Sequence, residues 1–252
     1  MTELISSAAN PVVKRMRLLG DRKHRRREGA FVVEGIQPVW QAVEAGAEVE
    51  VLVVAPDLLG SRTAGMVAAQ EAAGVRVARL TGELFARVSA RDGPSGLAAI
   101  VRGRIPGLAS LPVTPAAVFV ALHEIGNPGN LGTIIRTADA AGGSGVVLIG
   151  AAADPFDPAA VKASMGALFA VPVARVAAIA ELPRPLVALV AGAGEPLAPA
   201  DAGTLLIGAE RAGLPPEVVE GCDRVRHIPI RSESLNAAMA ATVAMYEVTR
   251  DA

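Results

Sequence analysis

The sequence predicts an α/β protein in two parts, a C-terminal α/β domain preceded by a smaller N-terminal α/β domain. Three observations predict it. Short apolar runs alternate with helical patterns along nearly the whole chain. An aperiodic stretch rich in Gly and Pro, Gly103 to Pro115, interrupts the alternation. The strands that follow it are almost continuously apolar, as a sheet covered on both faces requires. The expected boundaries are 1–105 for the first domain, 106–115 for a linker and 116–252 for the second.

In the first part, "NPVVKRMRLL" reads as a basic helix, "AFVVEG" as a strand and "IQPVWQAVEAG" as a helix. "VEVLVVA" and "VRVARL" read as strands on either side of the helix "DLLGSRTAGMVAAQEAAG". The helix "TGELFARVSA" and the strand "GLAAIVRG" close the part. A mainly parallel sheet is expected from this alternation. In the second part the strands are "AAVFVAL", "GVVLIG", "AVPVARV", "LVALVAG", "TLLIG" and "VRHIPI". Its helices are "LGTIIRTADAAGG", "PAAVKASMGALF", a short "PPEVVEG" and a long "SLNAAMAATVAMYEVTR". In that last helix Leu235, Ala238, Met239, Thr242, Met245 and Tyr246 fall on one face of period 3.6.

Composition narrows the function. With 252 residues, 52% hydrophobic and 19% charged, the chain is globular rather than disordered. Cys222 is its single cysteine, so an internal disulfide framework and any multi-cysteine zinc site are excluded, and no metal is expected. Mean hydropathy is +0.42, yet no apolar run approaches the ~20 residues of a membrane span. The first twenty residues carry no signal-peptide pattern. A cytoplasmic protein without membrane contact is the expectation.

Charge is unevenly placed. Met1 to Ile105 holds 15 Lys and Arg against 11 Asp and Glu, whereas the remainder holds 9 against 14. The excess sits in "KRMRLLGDRKHRRR", which contains Lys14, Arg15, Arg17, Arg22, Lys23, Arg25, Arg26 and Arg27. Such a run is either a solvated basic face or a phosphate-contacting arm for nucleic acid. No aromatic residue interleaves it, so tracking of the backbone is expected rather than base stacking.

Ligands of open α/β sheets bind beyond the carboxyl ends of the strands. Three such ends have unusual loops. "HEIGNPGNLG" brings Gly126, Gly129 and Gly132, whose spacing is neither a dinucleotide fingerprint nor a phosphate-binding P-loop. Behind it stands Arg136, and the residues alone leave two readings open: a loop held by turn chemistry with Arg136 pairing Asp139 on the same helix, or a site in which backbone N–H groups approach a ligand. "GAERAGLPP" carries Glu210 and Arg211. "PIRSESLN" carries Ser234, a candidate helix N-cap, and Asn236, for which capping by Ser234 leaves no role.

Taken together, "NPGNLGTIIRTADAAG", "LLIGAERAGLP" and "HIPIRSESLNAAMAATVAMYE" resemble the three motifs of the SpoU (TrmH) family of SPOUT RNA methyltransferases, in order and in separation. The resemblance runs from about Ala116 to the C-terminus. It departs from the family pattern at Asn127, where Asp is more usual, at Ala209, and in a short Pro229-to-Ser234 loop containing Arg231. "FVVEGIQPVWQAV" and "GLAAIV" resemble the family's frequent N-terminal substrate-binding domain. The resemblance implies methylation of ribose 2'-hydroxyls with S-adenosyl-L-methionine as cofactor, in ribosomal RNA ahead of transfer RNA. It also implies a trefoil-knotted fold and a homodimer with active sites at the interface. By motif position it assigns Asn130, Arg136, Glu210, Ser234 and Asn236 to catalysis. Leu206, Ile207, Gly208, Ile228, Pro229, Ile230, Leu235, Asn236 and Ala237 would hold the cofactor. His123 and His227 match no family base. The resemblance makes Arg136 the candidate base, but an arginine is a permanent cation, so Arg136 is expected rather to stabilise a developing alkoxide or clamp a phosphate, with Asn130 and Asn236 fixing it; base behaviour in a desolvated, RNA-bound site stays open. Two rivals remain: a non-catalytic RNA-binding protein of the same fold, and a methyltransferase protecting ribosomal RNA from an antibiotic.

Overall fold

A computed structural model describes residues 4–90, 93–231 and 233–250. The chain forms two compact units. One comprises Met1–Arg104 with Phe156–Phe169, the other Ile105–Pro155 with Ala170–Ala252.

The first unit opens with α1 (Pro11–Leu18). Asn10 caps it, its Oδ1 accepting from the Val12 N–H at 2.9 Å, and Pro11 supplies the preset first turn. α2 (Arg22–Glu28) is almost wholly charged. It exists because Asp21 caps its start and Gly29, at φ 61, ends it in the left-handed region. β1 (Ala30–Glu34), α3 (Ile36–Glu44), β2 (Val49–Val54), α4 (Ser61–Ala72), β3 (Arg76–Arg79), α5 (Gly82–Val88) and β4 (Leu97–Arg102) follow. The expected helix before β3 is split, a 3-10 turn at Pro56–Leu58 preceding α4.

The four strands lie in the order β1-β4-β2-β3. The sheet is mixed rather than mainly parallel: β4 runs antiparallel to both β1 and β2, and only β2 and β3 are parallel. Both faces are covered. On β4, Ala98 and Ile100 join the core under α1 and α5, while Leu97, Ala99 and Val101 face the opposite core. Alternation of side chains thus buries β4 from Leu97 to Val101, leaving Arg102 exposed.

The second unit contains β5 (Phe119–His123), α6 (Pro128–Ala140) and β6 (Gly145–Ile149). The next helix, α7 (Pro158–Ser164), clusters with the first unit although the sequence reading placed it in 116–252. The reason is aromatic: Phe156 stacks on Phe31 at 4.5 Å between ring centroids, and Phe169 at 6.2 Å. Then come β7 (Val173–Val176), β8 (Leu186–Leu189), β9 (Glu195–Pro196), β10 (Thr204–Ile207), α8 (Pro216–Glu220), β11 (Arg224–His227) and α9 (Ala237–Thr249). The sheet order is β7-β6-β5-β10-β8-β11-β9, and each recorded pairing is parallel. Residues 106–115 are more than a spacer, because Leu111 is buried in this unit's core and Arg175 N–H donates to the Pro106 carbonyl.

α9 begins at Ala237, not at Ser234, and its buried face differs from the one expected. Ala238, Ala241, Ala244, Met245 and Val248 are buried, while Met239 and Tyr246 are 62% and 65% exposed. Small alanines let α9 pack closely on α6, and in the turn after α6 a Cβ on Gly143 would lie 2.6 Å from Met245 Cε. Among the described residues no helix is long and apolar enough to cross a membrane.

Candidate active site

Parallel register brings the carboxyl ends of β5, β8, β10 and β11 to one edge of the sheet. Ile207 pairs with Leu122, Leu206 with Ala188, and Arg226 with Leu189. The sheet order reverses direction between β5 and β10, the kind of place where open α/β sheets bind ligands.

Each motif is shaped by its own local chemistry. Asn127 caps α6, its Oδ1 accepting from Gly129 N–H at 2.8 Å and Asn130 N–H at 3.2 Å. Pro128 then fixes the first helical residue, so Asn130 stands in the first turn. After β10 the chain folds back on itself. Gly213, at φ 68, donates to the Ala209 carbonyl at 2.8 Å, and a Cβ on Gly208 would lie 2.1 Å from the Gly213 carbonyl carbon. Only glycine fits at 208. Glu210 and Arg211 are held at the tip of that hairpin. The third motif supplies the N-cap of α9, which is Asn236 rather than Ser234: Asn236 Oδ1 accepts from Ala238 N–H at 2.9 Å.

These pieces meet. Asn130 Nδ2 donates to Glu210 Oε1 at 2.8 Å, and Asn130 Oδ1 accepts from Asn236 Nδ2 in a longer contact of 3.4 Å. A carboxamide donates through its nitrogen and accepts through its oxygen. The relay therefore runs in one direction, from the amide that caps α9, through Asn130, to a carboxylate that only accepts. It also gives Asn236 the purpose its sequence position left open.

Arg136 stands apart. It lies six residues after Asn130, about 120° round the helix and ~9 Å along it. The face of α6 turned to α9 carries Asn130 and Thr137, whose hydroxyl meets that of Thr242 at 2.9 Å. The Arg136 side chain is exposed and makes no hydrogen bond or ion pair among the described residues, neither with Asp139 nor with the two asparagines expected to fix it.

Beside the relay is a cavity of about 380 Å³, within the ~300–1,000 Å³ of small-molecule sites. Of the residues expected to hold a cofactor, Ile207, Gly208, Ile228, Ile230, Leu235 and Ala237 line it, as do Glu210 and Ser234. Three do not. Leu206 is fully buried in the core, Pro229 lines an adjoining depression with Arg231 and Glu233, and Asn236 is spent on the relay. Sequence reasoning missed Leu189, Val190 and Ala191, which close one wall. The Gly-Ala-Gly run after β8, at the same edge of the sheet, was the available signal. The lining suits S-adenosylmethionine: apolar side chains for a purine ring, and Glu210, Arg211 and Ser234 for polar and charged groups. Among the described residues no cluster of His, Cys, Asp or Glu is placed to hold a metal ion.

The basic run is divided by the fold. Arg25 is 3% exposed, and its guanidinium donates to the Leu19 and Gly20 carbonyls and to Asp157, so it is a structural residue and not a phosphate contact. Arg15 is held by Glu28 and Glu50; burial lowers its pKa, but those hydrogen bonds and charges raise it overall. Arg27 contacts His24 and Glu28. Lys14, Arg17, Arg22, Lys23 and Arg26 remain on the surface.

Comparison with known proteins places this geometry. The model of the SpoU rRNA Methylase family matches residues 117–246, and that of the MRM3-like substrate binding domain matches residues 10–99. A 23S rRNA (uridine(2479)-2'-O)-methyltransferase of Streptomyces viridochromogenes is 34% identical, over 92% of this chain and 87% of its own. A 23S rRNA (guanosine(2553)-2'-O)-methyltransferase of Bacillus subtilis is 29% identical, over 97% and 98%. The crystal structure of an AdoMet-bound rRNA methyltransferase from Sinorhizobium meliloti superposes with a TM-score of 0.87 at 33% identity, covering 99% of this chain and 98% of the other. The chain belongs to the SpoU rRNA methylase family.

Proposed function

We propose that the protein transfers a methyl group from S-adenosylmethionine to a ribose 2'-hydroxyl of ribosomal RNA. The observation that carries this reading is the relay joining Glu210, Asn130 and Asn236 at the rim of the 380 Å³ cavity. When bound, S-adenosylmethionine supplies an electrophilic methyl group on a sulfonium. The chain's own residues position and stabilise. The backbone of the Gly208–Gly213 hairpin and the walls formed by Ile228, Ile230 and Leu235 exclude water. Glu210 and Ser234 orient polar groups in the cavity. The relay locks α6, the hairpin and α9 into one rigid rim, so that the hydroxyl can be held in line with its target. Arg136, a permanent cation, stabilises the oxygen as it loses its proton.

Arg136 does this as part of a homodimer. Its distance from the relay on α6 and its lack of partners favour action on a site completed by a second chain. The exposed stripe of Met239, Val243 and Tyr246 on α9 offers an apolar face for that association. A trefoil knot accords with the path of the C-terminal segment, which leaves β11, beyond β8, and returns to pack α9 on α6 and β10. The surface cations of α1 and α2 track the RNA backbone.

The test is incubation of the protein with ribosomal and transfer RNA and isotopically labelled S-adenosylmethionine, followed by mass-spectrometric mapping of methylated riboses. Label on a ribose of ribosomal RNA is expected. Binding of RNA without binding of S-adenosylmethionine by calorimetry would instead favour a non-catalytic RNA-binding protein.

A further inference from the structure

A second cleft lies within the first unit, between α1 and α7. It has a volume of about 170 Å³, below the ~300–1,000 Å³ of whole cofactor sites, and so suits a single ring or sugar. Met16, Val32, Val88 and Val161 form its apolar walls, and Arg17 and Lys162 stand at its edge. Both cations are exposed, and neither side chain has a hydrogen-bond or ion-pair partner among the described residues. The arginines of this unit at positions 15, 25, 79 and 102 are all engaged. Two unpaired cations therefore converge on one apolar slot.

The slot is built rather than incidental. Arg25, buried beneath it, ties the corner between α1 and α2 to the start of α7 by donating to Leu19, Gly20 and Asp157. Asp157 in turn caps α7, its other oxygen accepting from Ala159 N–H at 3.0 Å. That fixes Val161 and Lys162 opposite Met16 and Arg17. Across the slot Glu34 holds the wall that follows α5, accepting from the Ser89 hydroxyl and, at 3.0 Å, from the Ala90 N–H.

We propose that this cleft takes one unpaired nucleotide of an RNA, with its base or ribose against the apolar walls and its phosphates between Arg17 and Lys162. The proposal rests on the RNA-binding reading above and names a subsite for it within the first unit. A slot with apolar walls favours an unstacked nucleotide, whereas a paired one keeps its ring in the helix. Glu34, the carboxylate of the lining, can accept from a base N–H edge.

Binding of the full chain to a single-stranded RNA 20-mer and to the duplex of the same sequence tests this. Arg17→Ala/Lys162→Ala should weaken single-strand binding about tenfold and flatten its log–log salt dependence by about 1.4, at ~0.7 per phosphate, while changing duplex binding far less. Val88→Phe, which fills the slot and leaves charge alone, should weaken single-strand binding at unchanged salt slope, with thermal melts reporting that both variants fold. Equal losses on strand and duplex would reduce the cleft to general basic surface and overturn the proposal. So would wild-type affinity in both variants, with the RNA reading left intact. Failure of the wild-type chain to bind either RNA would end both.

Discussion

Asn130 and Glu210, eighty positions apart in sequence, are joined by a 2.8 Å hydrogen bond in which an amide donates to a carboxylate. The bond ties the first turn of α6 to the hairpin after β10, and Asn236 extends it to α9. If the three act as one unit, their substitutions will not add. Asn130→Ala and Glu210→Ala should each slow methyl transfer by up to about 10²-fold, and the double variant should be little worse than either. Steady-state kinetics of the three proteins give the coupling; strictly multiplicative losses would mean independent roles.

Arg136→Ala should abolish methyl transfer and leave S-adenosylmethionine affinity within about tenfold, since only an interaction made in the transition state is removed. Mixing Arg136→Ala chains with Asn236→Ala chains should recover activity if Arg136 serves a second chain. Subunit exchange followed by a turnover assay decides this, and a mixture as inactive as its components would place Arg136 in its own chain's site.

Gly208→Ala should abolish cofactor binding and lower stability, because its Cβ would lie 2.1 Å from the Gly213 backbone. Gly65→Ala is the control. Gly65 lies inside α4 with nothing within 4 Å of an added Cβ, so helix propensity should raise stability by ~0.5–1 kcal/mol. Calorimetric titration and thermal melts of both variants provide the comparison.

Acid should weaken the second unit through Asp201, which is 3% exposed. Burial alone would raise its pKa, but hydrogen bonds from Arg226, the Ala198 N–H and Arg224, with the Arg226 charge, hold it below the usual carboxylate range. A depressed carboxyl contributes stability above its unfolded pKa of ~3.9, and loses it as pH falls through that value towards the folded pKa. Asp201→Asn should therefore cost ~1–3 kcal/mol near neutrality and progressively less in acid. Denaturant titrations across that range would show a constant difference if the ion pairs contribute nothing.

The basic run should split into two phenotypes. Arg25→Ala should destabilise the fold by ~1–3 kcal/mol, leaving two carbonyls and Asp157 short of a partner. Replacing exposed Lys14, Arg22, Lys23 and Arg26 with Ala should leave the melting temperature unchanged and flatten the salt dependence of RNA binding. Paired melting curves and filter-binding isotherms separate the two.

Much of this was legible in the sequence, for identifiable reasons. The apolar strands of the second sheet and the Asn-Pro and Gly-rich loops at their ends carry strong local signals; the second and third loops line one cavity, and the first joins them through Asn130. What was missed depends on contacts distant in sequence or on weak patterns. α2 has no apolar periodicity; two caps and one buried arginine make it a helix. The packed face of α9 is mostly alanine, so the larger Met239 and Tyr246 drew the pattern to the wrong side. The Asn130–Asn236 contact appears only when α6 and α9 are brought together. No local signal says that Phe156 belongs on Phe31.

That last pairing has a consequence for how the chain is made. Phe31 and Gly103 leave the ribosome long before Phe156 and Phe169, which cover them. The first unit must wait, its aromatic face open, while β5, α6 and β6 are synthesised. A break in translation between Arg104 and Phe169 would release an N-terminal fragment with its core uncovered, prone to aggregate where the finished chain is not.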